Sequence, residues 1–282
     1  MISQPVATQP HAHMPVPGPT RTPARTMVEI KDVTMAFGDF VAVENVNLNV
    51  GDGEFLAVVG PTGCGKSTIL NAIAGLLKPA KGSVAIDGKT VSGTGGDIGY
   101  LFQQDALLPW KTSLENVELG LMFRGVSAPE RRAQALDWLA KVGLKGFEDR
   151  YPQQLSGGQR KRVQMAQALI TLPKVILMDE PFSALDIHTR HLMQNELLSI
   201  WQEDRRAVVM ITHDLEEAIA LGDRVVVLAA GPGSRVIDSF HVDLERPRNV
   251  AEIKLDNHFM ELYRDIWASL RGEVEKSYAR NK

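Results

Sequence analysis

Nine consecutive residues, Gly60-Pro61-Thr62-Gly63-Cys64-Gly65-Lys66-Ser67-Thr68, fit the pattern G-x-x-x-x-G-K-[ST]. They follow an apolar run, 55–59, and precede a helix-compatible run, 69–77, which is the strand, loop and helix context that the pattern requires. Glycines let such a backbone curl until successive N–H groups point at phosphate oxygens, and the helix that follows brings its positive dipole end to the same place. Lys66 would then lie between β- and γ-phosphates and Ser67 would ligate Mg2+. Cys64 fills a variable position, where a small residue is tolerated.

Asp179 and Glu180 follow directly on the apolar run 175–178. Such a run suits a central parallel strand covered on both faces, which would deliver both carboxylates to the nucleotide end of the sheet. Asp179 would support Mg2+, and Glu180 would orient or deprotonate the attacking water. Gln103 and Gln104 leave the strand expected at 98–102. Polar residues in that position face the ligand crevice of an open α/β sheet, so one of the pair reaches the metal or the water. His213, at the end of the strand expected at 207–211, can hydrogen-bond a γ-phosphate or that water.

The elements that must position these groups show in the apolar periodicity. Val28, Ile30, Val33 and Met35, then Val41, Val43, Val46, Leu48 and Val50, alternate around Gly38-Asp39, the signature of an antiparallel β layer. Phe37 lies at its tip, where its ring either stacks on adenine or joins the core; position alone leaves both open. Strands are expected at 84–86 and 225–228. From 113 to 170 the spacing turns helical around Trp138, Leu139 and Val142, an inserted helical subdomain. Within it Leu155-Ser156-Gly157-Gly158-Gln159 opens a helical run over 160–172 that Pro173 ends. Ser156 can cap that helix while the glycines expose its first amides, a second candidate anion site. After Gly231-Pro232-Gly233 a polar stretch leads to Arg248. The final segment puts Leu255, Phe259, Leu262, Ile266, Trp267, Leu270 and Val274 on one helical stripe, with Asp256 or Asn257 as cap, for packing against its own domain.

Size and composition bound the rest. A chain of 282 residues can hold one large core. Its 31 Lys+Arg against 34 Asp+Glu leave a formal net charge of −3, with no global drive toward nucleic acid or anionic lipid. One cysteine excludes an internal disulfide and fits a reducing compartment. No apolar run is long enough to span a bilayer, so a membrane role would be peripheral. Pro5, Pro10, Pro15, Pro17, Pro19 and Pro23 with little apolar content mark residues 1–26 as a disordered leader, its His11 and His13 read as solvated.

The P-loop, Gln103, the pentapeptide 155–159, the strand 175–178 with Asp179-Glu180, Ser183-Ala184-Leu185-Asp186 and His213 together look like the ATPase subunit of an ABC transporter. They match that family's Walker A, Q-loop, signature, Walker B, D-loop and H-loop in order and approximate spacing, over about residues 28–239. The resemblance implies ATP and Mg2+ as cofactors, with Ser67, Gln103 and Asp179 at the metal and Lys66, Gln103, Glu180 and His213 as the catalytic set. It also implies a head-to-tail dimer, of identical copies or with a related second ATPase. There Ser156, Gly157 and Gly158, with Gln159 completing the signature, meet the γ-phosphate held by the other subunit's Gly60 to Thr68 loop. Gln103-Gln104-Asp105-Ala106-Leu107-Leu108-Pro109-Trp110 resembles the Q-loop of importers for nitrate, sulfonates and taurine, and Gly231-Pro232-Gly233 is similar to that group too. Such importers pair the ATPase with a membrane permease, and indirectly with an extracytoplasmic substrate-binding protein, at the cytoplasmic face of the inner membrane. Leu107, Leu108 and Trp110, if exposed, would suit docking to the permease.

Departures from the family pattern are Phe37, where tyrosine is commoner, and Lys161, Gln164 and Gln167 in the signature helix. The expected fold is α/β: a P-loop NTPase core with a mixed, mainly parallel sheet, an antiparallel β layer and an inserted helical subdomain. The expected layout is a leader over 1–26, an ATPase domain over 27–250 with the helical subdomain at about 104–172, and a C-terminal helical extension over 251–282. A soluble ABC ATPase acting on ribosomes or DNA is the alternative. It is disfavoured by the single set of motifs and by the absence of sustained heptads between Lys66 and Leu155; no nucleic-acid partner is expected.

Overall fold

A computed structural model describes residues 25–280. The expected leader and its His11 and His13 lie outside the described residues except for its last two positions, where a strand already begins at Thr26.

Strands β1 (Thr26–Phe37) and β2 (Phe40–Gly51) pair antiparallel through the Gly38-Asp39 turn. With β4 (Lys81–Ile86) and the short β5 (Lys89–Thr90) they form a sheet in the order β2-β1-β4-β5. The second sheet holds β3 (Phe55–Val59), β6 (Ile98–Leu101), β7 (Val175–Asp179), β8 (Ala207–Ile211), β9 (Arg224–Leu228) and β10 (Val236–His241). Its order is β10-β9-β3-β8-β7-β6, parallel throughout except for β10, which runs antiparallel to β9.

Alternation along the central strands divides the interior into two cores. Leu56 and Val58 of β3, Val209 and Ile211 of β8, and Val226 and Leu228 of β9 face the antiparallel layer and helix α1 (Lys66–Ile73). Phe55, Ala57, Val59, Val208, Met210, Val225 and Val227 face the opposite side, because successive side chains of a strand point to opposite faces. Both sets are buried, which is why these strands read as continuous apolar runs.

The second core is covered by α4 (Gly157–Leu169), α5 (Ile187–Glu203), α6 (Leu215–Leu221) and α7 (Asn257–Arg280), with α2 (Ser113–Phe123) and α3 (Ala128–Lys141) packed beside α4. Phe259, Leu262, Ile266 and Leu270 of α7 are buried in this core. Leu255 and Trp267 fall off that stripe, at 85% and 42% exposed; Leu255 sits in the turn before the helix, outside its 3.6-residue period. Asp256 caps α7 by accepting the N–H groups of His258 and Phe259 at 2.7 and 3.3 Å. The stretch read as polar after Gly233 contains β10. As an edge strand with one neighbour it never buries a full face, so it shows no apolar run. Among the described residues no helix is long and apolar enough to cross a membrane.

Arg248, 5% exposed, ties the turn after β10 to the end of α6. Its guanidinium donates to the carbonyls of Ile219, Ala220, Gly222, Val242 and Leu244 at 2.6 to 3.3 Å. Burial, with Arg246 nearby, pushes its pKa down to about 10. Arg248→Ala would orphan those carbonyls, and we expect it to cost on the order of 3 kcal/mol. Thermal unfolding should fall by about 6–12 °C, with little rescue by Arg248→Lys, which lacks the planar fork.

Candidate nucleotide-binding site

The loop 60–65 leaves β3 and turns into α1 through two glycines with left-handed backbone, Gly63 (φ +77°) and Gly65 (φ +93°). Gly65 is the residue preceding the helix, and a Cβ there would lie 2.4 Å from Val43 Cγ1. Only glycine meets both demands. Lys66, 7% exposed, folds its ammonium onto the loop, donating to the carbonyls of Gly60 and Pro61 at 2.8 and 3.0 Å. Cys64 is fully buried behind the loop, and burial pushes its thiol pKa up against the pull of Lys66. Thr62, Gly63 and Ser67 face solvent, while Thr68 is half-buried.

Ser67 Oγ donates to Asp179 Oδ1 at 3.1 Å. Burial raises the Asp179 carboxyl above the usual range and Glu180 adds to this, while the Ser67 hydrogen bond and Lys66 oppose it. Glu180 follows with a left-handed φ of +43°, held there by its N–H donating to the carbonyl of Ile211 at 2.9 Å and its own carbonyl accepting from Ser183 Oγ at 3.0 Å. Its Oε2 accepts from Gln103 Nε2 at 3.2 Å and lies 3.1 Å from His213 Nδ1. Gln103, Glu180 and His213 leave the neighbouring strands β6, β7 and β8, so one oxygen of Glu180 meets side chains from two other, distant parts of the chain. Gln104 contributes its carbonyl to α4.

The signature turn stands apart. Ser156 Oγ accepts from the N–H of Gln159 at 3.2 Å, and Gln159 Oε1 accepts from the N–H of Ser156 at 2.9 Å, a reciprocal cap of α4. Ser156 and Gly157 are exposed, and among the described residues no hydrogen bond or ion pair joins this turn to the P-loop. Phe37, at the tip of the β1–β2 hairpin, is 50% exposed rather than in the core. Of the three residues that would suit docking if exposed, Leu107 is instead buried in the core and Leu108 half-buried. The fold takes both because Asn116 Oδ1 accepts the N–H of Leu108 at 2.8 Å and turns this segment inward. Trp110 remains 70% exposed.

Two supports of the site carry little sequence signal. Behind His213, Glu217 accepts from Thr212 Oγ1 and from Gln194 Nε2, and Thr212 Oγ1 accepts from the N–H of Asp214. Burial raises the Glu217 carboxyl. Behind the P-loop, a Cβ at Gly231 would come within 3.0 Å of the Gly63 carbonyl oxygen, and the N–H of Ala230 is held by Glu273 of α7 at 2.7 Å. Gly-Pro-Gly marks that loop in the sequence; nothing marked Glu273.

A glycine loop that opens a helix after a central parallel strand, beside a serine–aspartate pair, defines a P-loop nucleotide-binding protein. The chain belongs to the ABC transporter family, whose model matches residues 43–183. It is 50% identical over 236 residues to an uncharacterized ABC transporter ATP-binding protein of Methanocaldococcus jannaschii, covering 84% of this chain and 86% of that one. It is 43% identical over 261 residues to the nitrate import ATP-binding protein of a Synechocystis strain, covering 89% and 98% of the two. To the taurine import ATP-binding protein of Rhizobium johnstonii it is 46% identical over 233 residues, covering 81% and 88%. Among solved structures, a dimeric ATP-binding cassette in a post-hydrolysis state with ADP and Pi aligns with a TM-score of 0.69 at 39% identity, covering 78% of this chain and 100% of that one. The chain is an ABC-type ATPase with ATP as its nucleotide.

Gly65→Ala would force a left-handed alanine against Val43, and we expect it to weaken ATP binding by about tenfold or more, the strain alone costing roughly 1–2 kcal/mol. Equilibrium titration with a fluorescent ATP analogue measures this directly.

Proposed function

We propose that this chain is the ATP-hydrolysing subunit that energises import of a small solute, of the nitrate, sulfonate or taurine kind, through a membrane permease. The observation that carries the chemistry is the meeting of Gln103, Glu180 and His213 at one carboxylate oxygen, next to the Ser67–Asp179 pair. The importer type rests on relatives named for nitrate import and taurine import, beside one named for bicarbonate transport.

The donor set suits Mg2+: the Ser67 hydroxyl, the Asp179 carboxylate and the Gln103 amide are hard oxygen ligands that leave room for phosphate oxygens. Held by Ser67, Asp179 and Gln103, the metal would supply positive charge to offset that of the phosphates. The backbone N–H groups of the loop 60–68, all but Pro61, receive the phosphates, with the Phe37 ring stacking on adenine. Lys66 exchanges the carbonyls of Gly60 and Pro61 for β- and γ-phosphate oxygens. Glu180 orients water in line with the γ-phosphorus and takes its proton; a water–phosphorus bond forms as the bond to the ADP oxygen breaks. Gln103 aims the water and His213 holds the γ-phosphate.

In this reading the capped turn at Ser156, Gly157 and Gly158, with Gln159 locking the cap, meets a phosphate on a second subunit; the exposure of Ser156 and Gly157 supports it. Two copies, or one copy with a related ATPase, would therefore enclose ATP between P-loop and signature turn. The family cassette solved as a dimer supports that arrangement. Within this reading, residues 27–250 form the ATPase domain, about 104–172 its helical subdomain, and 251–282 a C-terminal extension. Exposed Trp110 offers an anchor for the permease, which would hold the subunit peripherally at the cytoplasmic face of the inner membrane. A substrate-binding protein outside the membrane would take part indirectly.

Glu180→Gln should lower ATP turnover by about a hundredfold or more while ATP-dependent dimers accumulate in size-exclusion chromatography; hydrolysis near the native rate would remove the base from Glu180. Trp110→Ala should reduce transport-coupled ATPase in permease-containing vesicles and leave ATP affinity unchanged. Native coupling in those vesicles would count against Trp110 as the anchor.

A further inference from the structure

Three side chains from the first two turns of α4 reach onto the segment that carries Gln103. Lys161 Nζ donates to the carbonyl of Phe102 at 2.8 Å and lies 3.5 Å from that of Gln103. Gln164 Nε2 donates to the carbonyls of Phe102 and Gln104 at 3.3 and 3.4 Å. Arg160 Nε meets Asp105 Oδ2 at 2.6 Å, and Arg160 Nη1 donates to the carbonyl of Leu155 at 2.8 Å. Lys161 and Gln164 are 4% and 1% exposed, so both side chains are withdrawn from water, whereas the Arg160–Asp105 pair is not.

Neither residue suits this depth on packing grounds. Among the described residues Lys161 makes no ion pair, and its ammonium is held by main-chain carbonyls alone. Gln164 Oε1 has no partner there. An unpaired buried ammonium and an orphaned amide oxygen both oppose folding, and an apolar side chain would fill either position without that cost. What the pair does achieve is to fasten one strand end, residue by residue, to one helix.

We propose that Lys161 and Gln164 are positioning residues that clamp the backbone of residues 102–104 to the signature helix. Gln103 is then placed by α4 as well as by β6. The proposal rests on the assignment of Gln103 to the ATP site made above. α4 begins at the Ser156–Gly158 turn, so any shift of the helix as that turn meets a phosphate is carried by the clamp to Gln103. From Gln103 it passes to Glu180 Oε2, 3.2 Å from Gln103 Nε2. Lys161 itself touches no nucleotide in this scheme, so its loss should slow turnover without weakening ATP binding.

The test uses the full chain and measures steady-state ATPase with ATP varied, alongside the melting temperature. Lys161→Met is expected to lower kcat about tenfold while the KM for ATP stays within about twofold. Lys161→Arg, which keeps a charged donor, should recover at least about half of the native kcat. Added to Gln103→Ala, Lys161→Met should cost less than about a further twofold, since both act through one glutamine. Gln164→Ala, which leaves the charge in place, should lower kcat about threefold while the protein stays folded at the assay temperature. It carries the test if Lys161→Met fails to fold. Native kcat in either clamp variant, or full additivity with Gln103→Ala, would overturn the clamp while leaving the role of Gln103 intact. Native kcat in Gln103→Ala would instead remove the assignment on which the clamp depends.

Discussion

Parallel strands start at one edge of a sheet and end at the other, and in this protein that constraint decides where everything else goes. The register pairs Leu101 with Met178, Asp179 with Ile211 and Val58 with Ile211, so β6, β7, β8 and β3 finish side by side. Neighbouring strands lie about 4.8 Å apart, which puts the residues just beyond each end within side-chain reach of those beyond the adjacent strand. Glu180 follows β7 directly, Gln103 and His213 stand two residues past β6 and β8, and the P-loop leaves β3. An antiparallel sheet of the same strands would have sent alternate ends to the far edge and scattered the site.

The strands hold that register because they are buried on both faces. A slip by one residue would exchange the inward sets of the two cores, moving Phe55 and Val208 into the layer shaped for Leu56 and Val209. The antiparallel sheet and α1 on one side, and α4 to α7 on the other, therefore do more than exclude water. They fix the ends of β6, β7 and β8 closely enough for two side chains, Gln103 and His213, to meet one oxygen of Glu180. The left-handed backbone of Glu180 belongs to the same arrangement: a non-glycine residue there costs of order 1–3 kcal/mol, and the β8 carbonyl of Ile211 helps hold it.

Around this center the chain surrounds polar groups with main-chain partners rather than opposite charges. Lys66 rests on the carbonyls of Gly60 and Pro61, Lys161 on those of Phe102 and Gln103, and Arg248 on five carbonyls, three at the end of α6 and two after β10. Such cations are restrained by geometry that depends on the fold, so they report on backbone position. Salt bridges between side chains, by contrast, sit mostly toward the surface, where each contributes little.

The P-loop, the two carboxylates and the α/β core were legible from the residues alone, because each of these is local: a fixed spacing of glycine and lysine, an apolar run of strand length, a carboxylate at its end. The same holds for the capped signature turn, where Ser156 and Gln159 lie three residues apart. The sequence did not reveal β10, which buries no full face, nor the inward turn of Leu107, which depends on Asn116 in α2. It left Phe37 undecided, since exposure is a property of what lies opposite. Glu217 and Glu273 gave no sign of supporting the H-loop and the loop behind the P-loop. Those roles, the clamp from α4 and the meeting of Gln103 and His213 on Glu180 were decided only in the tertiary structure, because hydrogen bonds across long sequence separations come from strand register and helix packing and leave no periodic trace in the chain.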